Sequence, residues 1–96
     1  MKKSINPQAI EIQKRFFEAL DLLIDTKQCG GLQTFCKEHD LNRVKYSNIR
    51  TELRKPNEAK ANNYKVIDLD ALAWLCKDYN VSSDWILLNK GNMFKR

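Results

Sequence analysis

Residues 32–53, which read LQTFCKEHDLNRVKYSNIRTEL, decide the fold. Apolar side chains recur there at helical spacing in two short runs, separated by the connection Asp40-Leu41-Asn42. Spacings of three, four and seven residues place side chains on one face of a helix. The predicted inward residues are Leu32, Phe35, Cys36 and His39, then Tyr46, Ile49 and Leu53. Two short helices joined by about three residues form helix-turn-helix geometry, which we predict over about residues 32–54.

The residues of this stretch meet the physical requirements of the motif. Cys36 is a small inward residue where the second helix crosses the first, and Leu41 is an apolar residue that can close the turn against the core. Asn42 is a good N-cap for a helix running from Arg43 to about Lys55. The outer face of that helix has hydrogen-bonding and cationic groups and no acid, so it suits base edges and phosphates.

Positive charge is concentrated in the same region. The chain has 96 residues and a net charge of +5. Residues 1–42 and 66–96 are each neutral, whereas residues 43–65 hold seven basic residues against Glu52 and Glu58. The seven are Arg43, Lys45, Arg50, Arg54, Lys55, Lys60 and Lys65. A focused positive patch on a neutral body is typical of a protein that binds a polyanion.

The rest of the chain predicts three further helices. The first runs from Pro7 to about Thr26, and its apolar stripe is wide enough for a central helix packed on two sides. Another follows the predicted cap Asp68, covers about Leu69–Tyr79 and ends at Asn80, which suits a left-handed C-cap. Its predicted inward residues are Leu69, Leu72, Ala73, Cys76 and Tyr79. The last helix starts at Ser82 or Ser83, with Trp85, Ile86 and Leu88 as its apolar face.

These elements predict one all-α domain over residues 1–96, with no strand and an insertion loop at about residues 57–67. A chain of this length holds one core, which excludes a two-domain enzyme with a cleft between lobes. Three cysteines without a CxxC pair are typical of reduced thiols in the cytosol. No apolar signal core follows the first residues, so we expect a cytoplasmic protein rather than a secreted one.

Two segments resemble a known family. Residues 35–49, FCKEHDLNRVKYSNI, look like the core of the phage-repressor-like helix-turn-helix family, the lambda repressor and Cro type. Residues 81–87, VSSDWIL, followed by Gly91 and Met93, are similar to the last-helix signature of its small bacterial and phage members. The resemblance covers about residues 10–93. It implies a five-helix lambda-repressor-like bundle, the number of helices expected from periodicity.

The chain departs from the family pattern at four places, one of which is the link from Pro56 to Asp68, about ten residues longer than usual. The family usually has glycine in the turn, so Asp40 has to accept a left-handed backbone conformation. The family often opens the first motif helix with Thr-Gln, the glutamine contacting DNA, whereas here Gly31-Leu32 stand there and Gln33 comes one place later. The inward position that is usually β-branched holds the bulkier Tyr46.

The leading hypothesis is a sequence-specific DNA-binding regulator of repressor type, of phage or mobile-element origin. We predict contacts to base edges from Arg43, Val44, Ser47 and Asn48, and to phosphates from Lys45, Arg50, Arg54 and Lys55. The complete predicted set on double-stranded DNA is Gln33, Asn42, Arg43, Val44, Lys45, Ser47, Asn48, Arg50, Thr51, Arg54 and Lys55. We expect a homodimer, joined through residues 85–94 or through the first helix, because such units commonly pair on two half-sites.

Other functions remain open. A protein-interaction module, such as an antitoxin or an anti-repressor, would use the wide first helix and Trp74. Cys29, Cys36, His39 and Cys76 could supply a zinc site, but buried thiols on apolar faces are more often part of a core. A Cys/His nucleophile lacks an acidic orienting group and an oxyanion loop, so we expect no enzyme and no cofactor.

Overall fold

Five helices account for most of the described chain. The computed structural model describes residues 7–54 and 66–95, apart from the side chain of Arg54. The helices are α1 (Pro7–Asp25), α2 (Leu32–Glu38), α3 (Arg43–Arg54), α4 (Leu69–Tyr79) and α5 (Ser83–Leu88). These residues contain no strand, only an isolated bridge between Val81 and Phe94. The all-α prediction is confirmed, whereas Lys55 and all but the last two residues of the predicted insertion 57–67 lie outside the described ranges.

Helix α1 is the centre of the structure. It packs against both α4 and α5, as its wide apolar stripe predicted. Its aromatic residues also reach the other two helices, with the Phe16 ring 5.9 Å from Phe35 of α2 and 6.1 Å from Tyr46 of α3. Leu22, which falls outside the stripe, is exposed. A helix that contacts all four others has to bury about half its circumference.

Arg15 fixes α1 against the end of α5. Its Nε donates to the carbonyl of Ile86 at 2.8 Å, and a terminal guanidinium nitrogen reaches the carbonyl of Leu87 at 3.4 Å. The last carbonyls of a helix have no intrahelical partner and carry partial negative charge, so a guanidinium there is doubly favourable. This contact holds α5, which has six residues, in place.

The chain after α5 folds back across its beginning. The Ser82 amide donates to the Met93 carbonyl at 2.7 Å, and the Lys95 amide donates to the Asn80 carbonyl at 2.9 Å. Asn80 adopts the left-handed conformation predicted for it, and the Ser82 hydroxyl accepts from the Trp85 amide as an N-cap. Phe94 packs against the core, so this short return segment closes one end of the bundle.

The buried face of α4 differs from the predicted one at two of five residues, since Leu72, Cys76 and Tyr79 pack partly buried against the core as predicted. Leu69 is 83% exposed and Ala73 is exposed, whereas Ala71 and Leu75 are fully buried. The helix has apolar residues at helical spacing on two overlapping faces, so periodicity alone does not choose between them. Packing against α1 selects the face centred on Ala71 and Leu75. The prediction for α5 was wrong at Leu88, which is 55% exposed, and right at Trp85 and Ile86.

Candidate nucleic-acid interface

The turn between α2 and α3 adopts the conformation that the sequence requires. Asp40 has φ 55°, in the left-handed region, as its place in the turn predicted. The Leu41 amide then donates to the Cys36 carbonyl at 2.8 Å, and the Leu41 side chain packs against the core. Asn42 caps α3 as predicted, because its Oδ1 accepts from the Lys45 amide at 3.1 Å. These local bonds set the direction in which α3 leaves the turn.

The inner face of α3 is firmly seated. Tyr46 and Ile49 are fully buried, as predicted, and Leu53 packs against the edge of the core. Cys36 of α2 is 1% exposed, consistent with its role as the small residue at the helix crossing. Burial raises the pKa of the Cys36 thiol, so this sulfur is a core atom and not a reactive thiolate.

The opposite face of α3 is turned to solvent. Arg43, Val44, Asn48 and Thr51 are exposed, and Ser47 is half-buried. The Thr51 hydroxyl donates to the Ser47 carbonyl at 2.9 Å, so toward a ligand Thr51 can only accept a hydrogen bond. Asn48 has an exposed amide with two donors and one acceptor oxygen, the pattern that can meet an adenine edge in two places.

Two further predicted contact residues are also exposed. Gln33, the second residue of α2, is exposed. Asn42 is also exposed. Its side-chain oxygen accepts the capping hydrogen bond, which leaves its side-chain NH₂ group as the donor available to a phosphate. The side chain of Arg54 and the whole of Lys55 lie outside the described residues, so their predicted contacts stay predictions.

Two basic residues of α3 are paired with acidic residues outside it, one just before α4 and one on α1. The Lys45 Nζ lies 3.0 Å from Asp68 Oδ1, just before α4. The Arg50 guanidinium lies 3.5 Å from Asp21 Oδ1 on α1. The formal charge of the 43–65 stretch therefore overstates the positive potential of α3, because sequence counting cannot show acids that folding brings alongside.

Asp68 joins α3 to the start of α4, a connection that sequence reasoning missed. The Tyr46 hydroxyl donates to Asp68 Oδ2 at 2.8 Å and accepts from the Asp68 amide at 2.8 Å. Asp68 occupies the predicted N-cap position of α4, but its side chain makes no capping hydrogen bond because its carboxylate is turned to Tyr46 and Lys45. The hydrogen bond from Tyr46, and next that from Lys45, lower the pKa of the Asp68 carboxyl.

His39 closes the other side of the turn. Its Nδ1 lies 2.8 Å from the Phe35 carbonyl and its Nε2 lies 2.9 Å from Asp78 Oδ2. The ring rests between Phe35 and Trp74, whose centroids are 4.5 Å and 5.1 Å away. Both nitrogens are thus engaged within the fold. Among the described residues no three His, Cys, Asp or Glu side chains are grouped so that they could hold a metal ion.

Comparison with known protein families, curated proteins and solved structures found no match for this chain. Within residues 7–54 and 66–95, no helix combines the length and the apolar character needed to cross a membrane.

Proposed function

We propose that the protein is a sequence-specific DNA-binding regulator that reads base edges with the exposed face of α3. One observation carries the proposal: the face defined by Val44, Ser47, Asn48 and Thr51 holds no acid, while Tyr46 and Ile49 anchor the opposite face in the core. An amphipathic helix whose outer side is polar and carboxylate-free is suited to a negatively charged groove.

The dimensions of α3 fit that role. Its 12 residues span roughly 18 Å at 1.5 Å per residue, and the major groove of B-DNA admits a helix of this kind. Arg43, Ser47 and Asn48 are the proposed readers of base edges, and Val44 is suited to a thymine methyl group. Gln33 and the amide of Asn42 are proposed to hold the adjacent phosphate backbone.

The order of the helices supports a finer proposal about the fold. A long central helix precedes the α2–turn–α3 unit, and two helices follow it. We propose a lambda-repressor-like five-helix bundle, in which α1, α4 and α5 form the support for the helix-turn-helix. In that setting the protein would act in the cytoplasm as a homodimer, occupying an operator and blocking or recruiting polymerase.

The deciding experiment is selection of bound sequences from a random pool of duplex DNA. The expected result is one enriched motif, with two half-sites about one helical turn apart if the protein binds as a dimer. Retention on nonspecific DNA should be lost as salt rises, because cations on the protein displace counterions from the phosphates. A pool that emerges without enrichment contradicts sequence-specific binding.

A protein-interaction module is the second candidate, favoured by the surface beside the start of α4. Leu69 is 83% exposed there and lines an open depression together with Leu41 and Trp74. Trp74 itself is half-buried, with its ring 5.1 Å from the tilted His39 ring and with Lys77 Nζ 5.6 Å above it. Absence of any salt-sensitive retention on DNA or heparin would favour this candidate over DNA binding.

A further inference from the structure

The two edges of α3 differ in the charges that surround them. Helical spacing places Arg43 and Arg50 on one edge, seven residues apart, and Lys45 and Glu52 on the other. On the first edge the Arg50 guanidinium lies 3.5 Å from Asp21 Oδ1 of α1, and on the second the Lys45 Nζ lies closer, 3.0 Å, to Asp68 Oδ1 just before α4. Arg43 is exposed, whereas Lys45 is half-buried beside Asp68, so these two basic residues differ in their access to a polyanion.

Lys45 is held close to the body of the protein. Its Nζ donates to Asp68 Oδ1 at 3.0 Å, and its side chain is 21% exposed. The same ammonium lies 5.9 Å from the centre of the Tyr46 ring, within the range of a cation–π contact. An ammonium in this position already has an anionic partner of the kind that a phosphate would offer.

Asp68 is a fixed partner and not a mobile surface acid. Its second carboxylate oxygen accepts from the Tyr46 hydroxyl, and its own amide donates to that hydroxyl, both at 2.8 Å. Tyr46 is fully buried, so the hydroxyl cannot swing away without disturbing the core. Because the carboxylate is positioned in advance, it loses little conformational freedom when it binds Lys45.

We propose that Asp68 is a positioning residue that takes, on Lys45, the place a DNA phosphate would occupy, and thereby limits the affinity of α3 for DNA. This inference rests on the proposed DNA-binding function. It deepens that function by removing Lys45 from the residues that contact phosphates in the wild-type protein. Lys45 then contributes to holding α3 against α4 and contributes little to counterion release.

The test measures DNA affinity against salt concentration for the full chain and its variants. If Lys45 is no longer paired and can contact a phosphate, the slope of log affinity against log salt should become steeper by about one per protomer. We expect this increase in D68N, with about two- to fivefold tighter binding at low salt, because an exposed ion pair competes only modestly. In the wild-type background K45Q should lower the slope by less than about 0.3, whereas in the D68N background it should lower it by about one.

D70N is the matched control. Asp70 is an exposed aspartate in the first turn of α4 that lines the same open depression as Asp68. The substitution removes the same charge two residues away, so it reports the general effect of one acid near the DNA. We expect its slope to equal that of the wild type.

Three outcomes overturn the inference: a slope for D68N equal to that of wild type, an equal increase in D70N, or a loss of about one from K45Q alone. If D68N fails to fold, as judged by circular dichroism, K45Q in the wild-type background still decides. Wild-type protein that binds no DNA at low salt contradicts the proposed function itself. If the wild type binds DNA but D68N has the same salt slope as the wild type, only the role of Asp68 is contradicted.

Discussion

The side-chain oxygen of Gln13 accepts a hydrogen bond from the backbone amide of Ile67 at 2.8 Å, and both residues are buried. This bond joins the first helix to the segment that leads into α4, across 54 positions of sequence. Buried backbone donors are nearly always paired, because an unpaired one retains its full desolvation cost. Gln13 thus supplies the hydrogen-bond acceptor for a buried backbone amide that lies outside the helices.

Replacing Gln13 with Ala should therefore destabilise the fold by about 1–3 kcal/mol, since the Ile67 amide is left buried without its acceptor. Chemical denaturation followed by circular dichroism measures the loss. Gln28→Ala is the control, because Gln28 is exposed and its side-chain amide donates to the exposed Thr26 hydroxyl. That variant should stay within about 0.5 kcal/mol of the wild type. Equal stability of the two variants would contradict a structural role for Gln13.

The protein should lose stability in alkali. Burial raises the pKa of Tyr79 to about 12 and also raises the pKa of Tyr46. A group whose pKa is higher in the folded state favours folding below its unfolded pKa, about 10 for tyrosine, and loses that contribution as pH rises through the folded value. The midpoint of chemical denaturation should therefore decrease as the pH is raised from about 10 to 12. Tyr46→Phe should make the midpoint depend less steeply on pH in this range. An equally steep dependence in the variant would contradict the assignment to Tyr46.

Asp40→Gly should stabilise the protein by about 0.5–1 kcal/mol, because glycine adopts the left-handed conformation without the strain of a Cβ atom. Asp40 is exposed and has φ 55°, so little side-chain packing is lost. Thermal unfolding measures the change. Lys37→Gly, three residues earlier within α2, is the control and should destabilise by about 1 kcal/mol, the cost of glycine inside a helix. A destabilised Asp40→Gly would show that the aspartate side chain supports the turn.

Asn48→Ala should separate DNA specificity from stability. Asn48 is exposed, so unfolding should change by less than about 0.5 kcal/mol, while binding to the selected site weakens by about 1–3 kcal/mol. Nonspecific binding should change little, and somewhat more for Arg43→Ala, which also removes a charge. Lys55→Ala is expected instead to weaken all DNA sequences alike and to reduce the salt slope by about one. Retention of the site preference in Asn48→Ala would contradict the assignment of α3 as the reading helix.

Leu88→Lys should break the proposed homodimer without unfolding the protein. Leu88 is 55% exposed at the end of α5, beside the partly exposed Leu87, within the segment proposed for association. Sedimentation on and off the selected DNA measures the oligomeric state. Leu69→Lys introduces the same change at an 83% exposed leucine on α4 and should leave the dimer intact. A wild-type monomer in both conditions would remove the dimer proposal.

Much of the α2–α3 unit was predictable because its determinants are local. Cys36, Tyr46 and Ile49 are buried where helical spacing placed them, and Asn42 caps α3 as its position before the helix predicted. Asp40 is left-handed because a chain that reverses within a few residues needs such a conformation there. The exposed polar face of α3 follows from the same period.

The rotation of α4 and the pairing of Lys45 with Asp68 were decided by tertiary structure. Leu69 and Ala71 both satisfy a helical period, and only contact with α1 exposes the first and buries the second. The bonds that orient the elements join residues 22, 54 and 71 positions apart, at Tyr46–Asp68, Gln13–Ile67 and Arg15–Ile86. The sequence alone determined which residues form helices and which side of α3 is polar, because those properties depend on neighbours within one or two turns. Which acid neutralises which base depends on distances in space, and these exist only once the helices have packed.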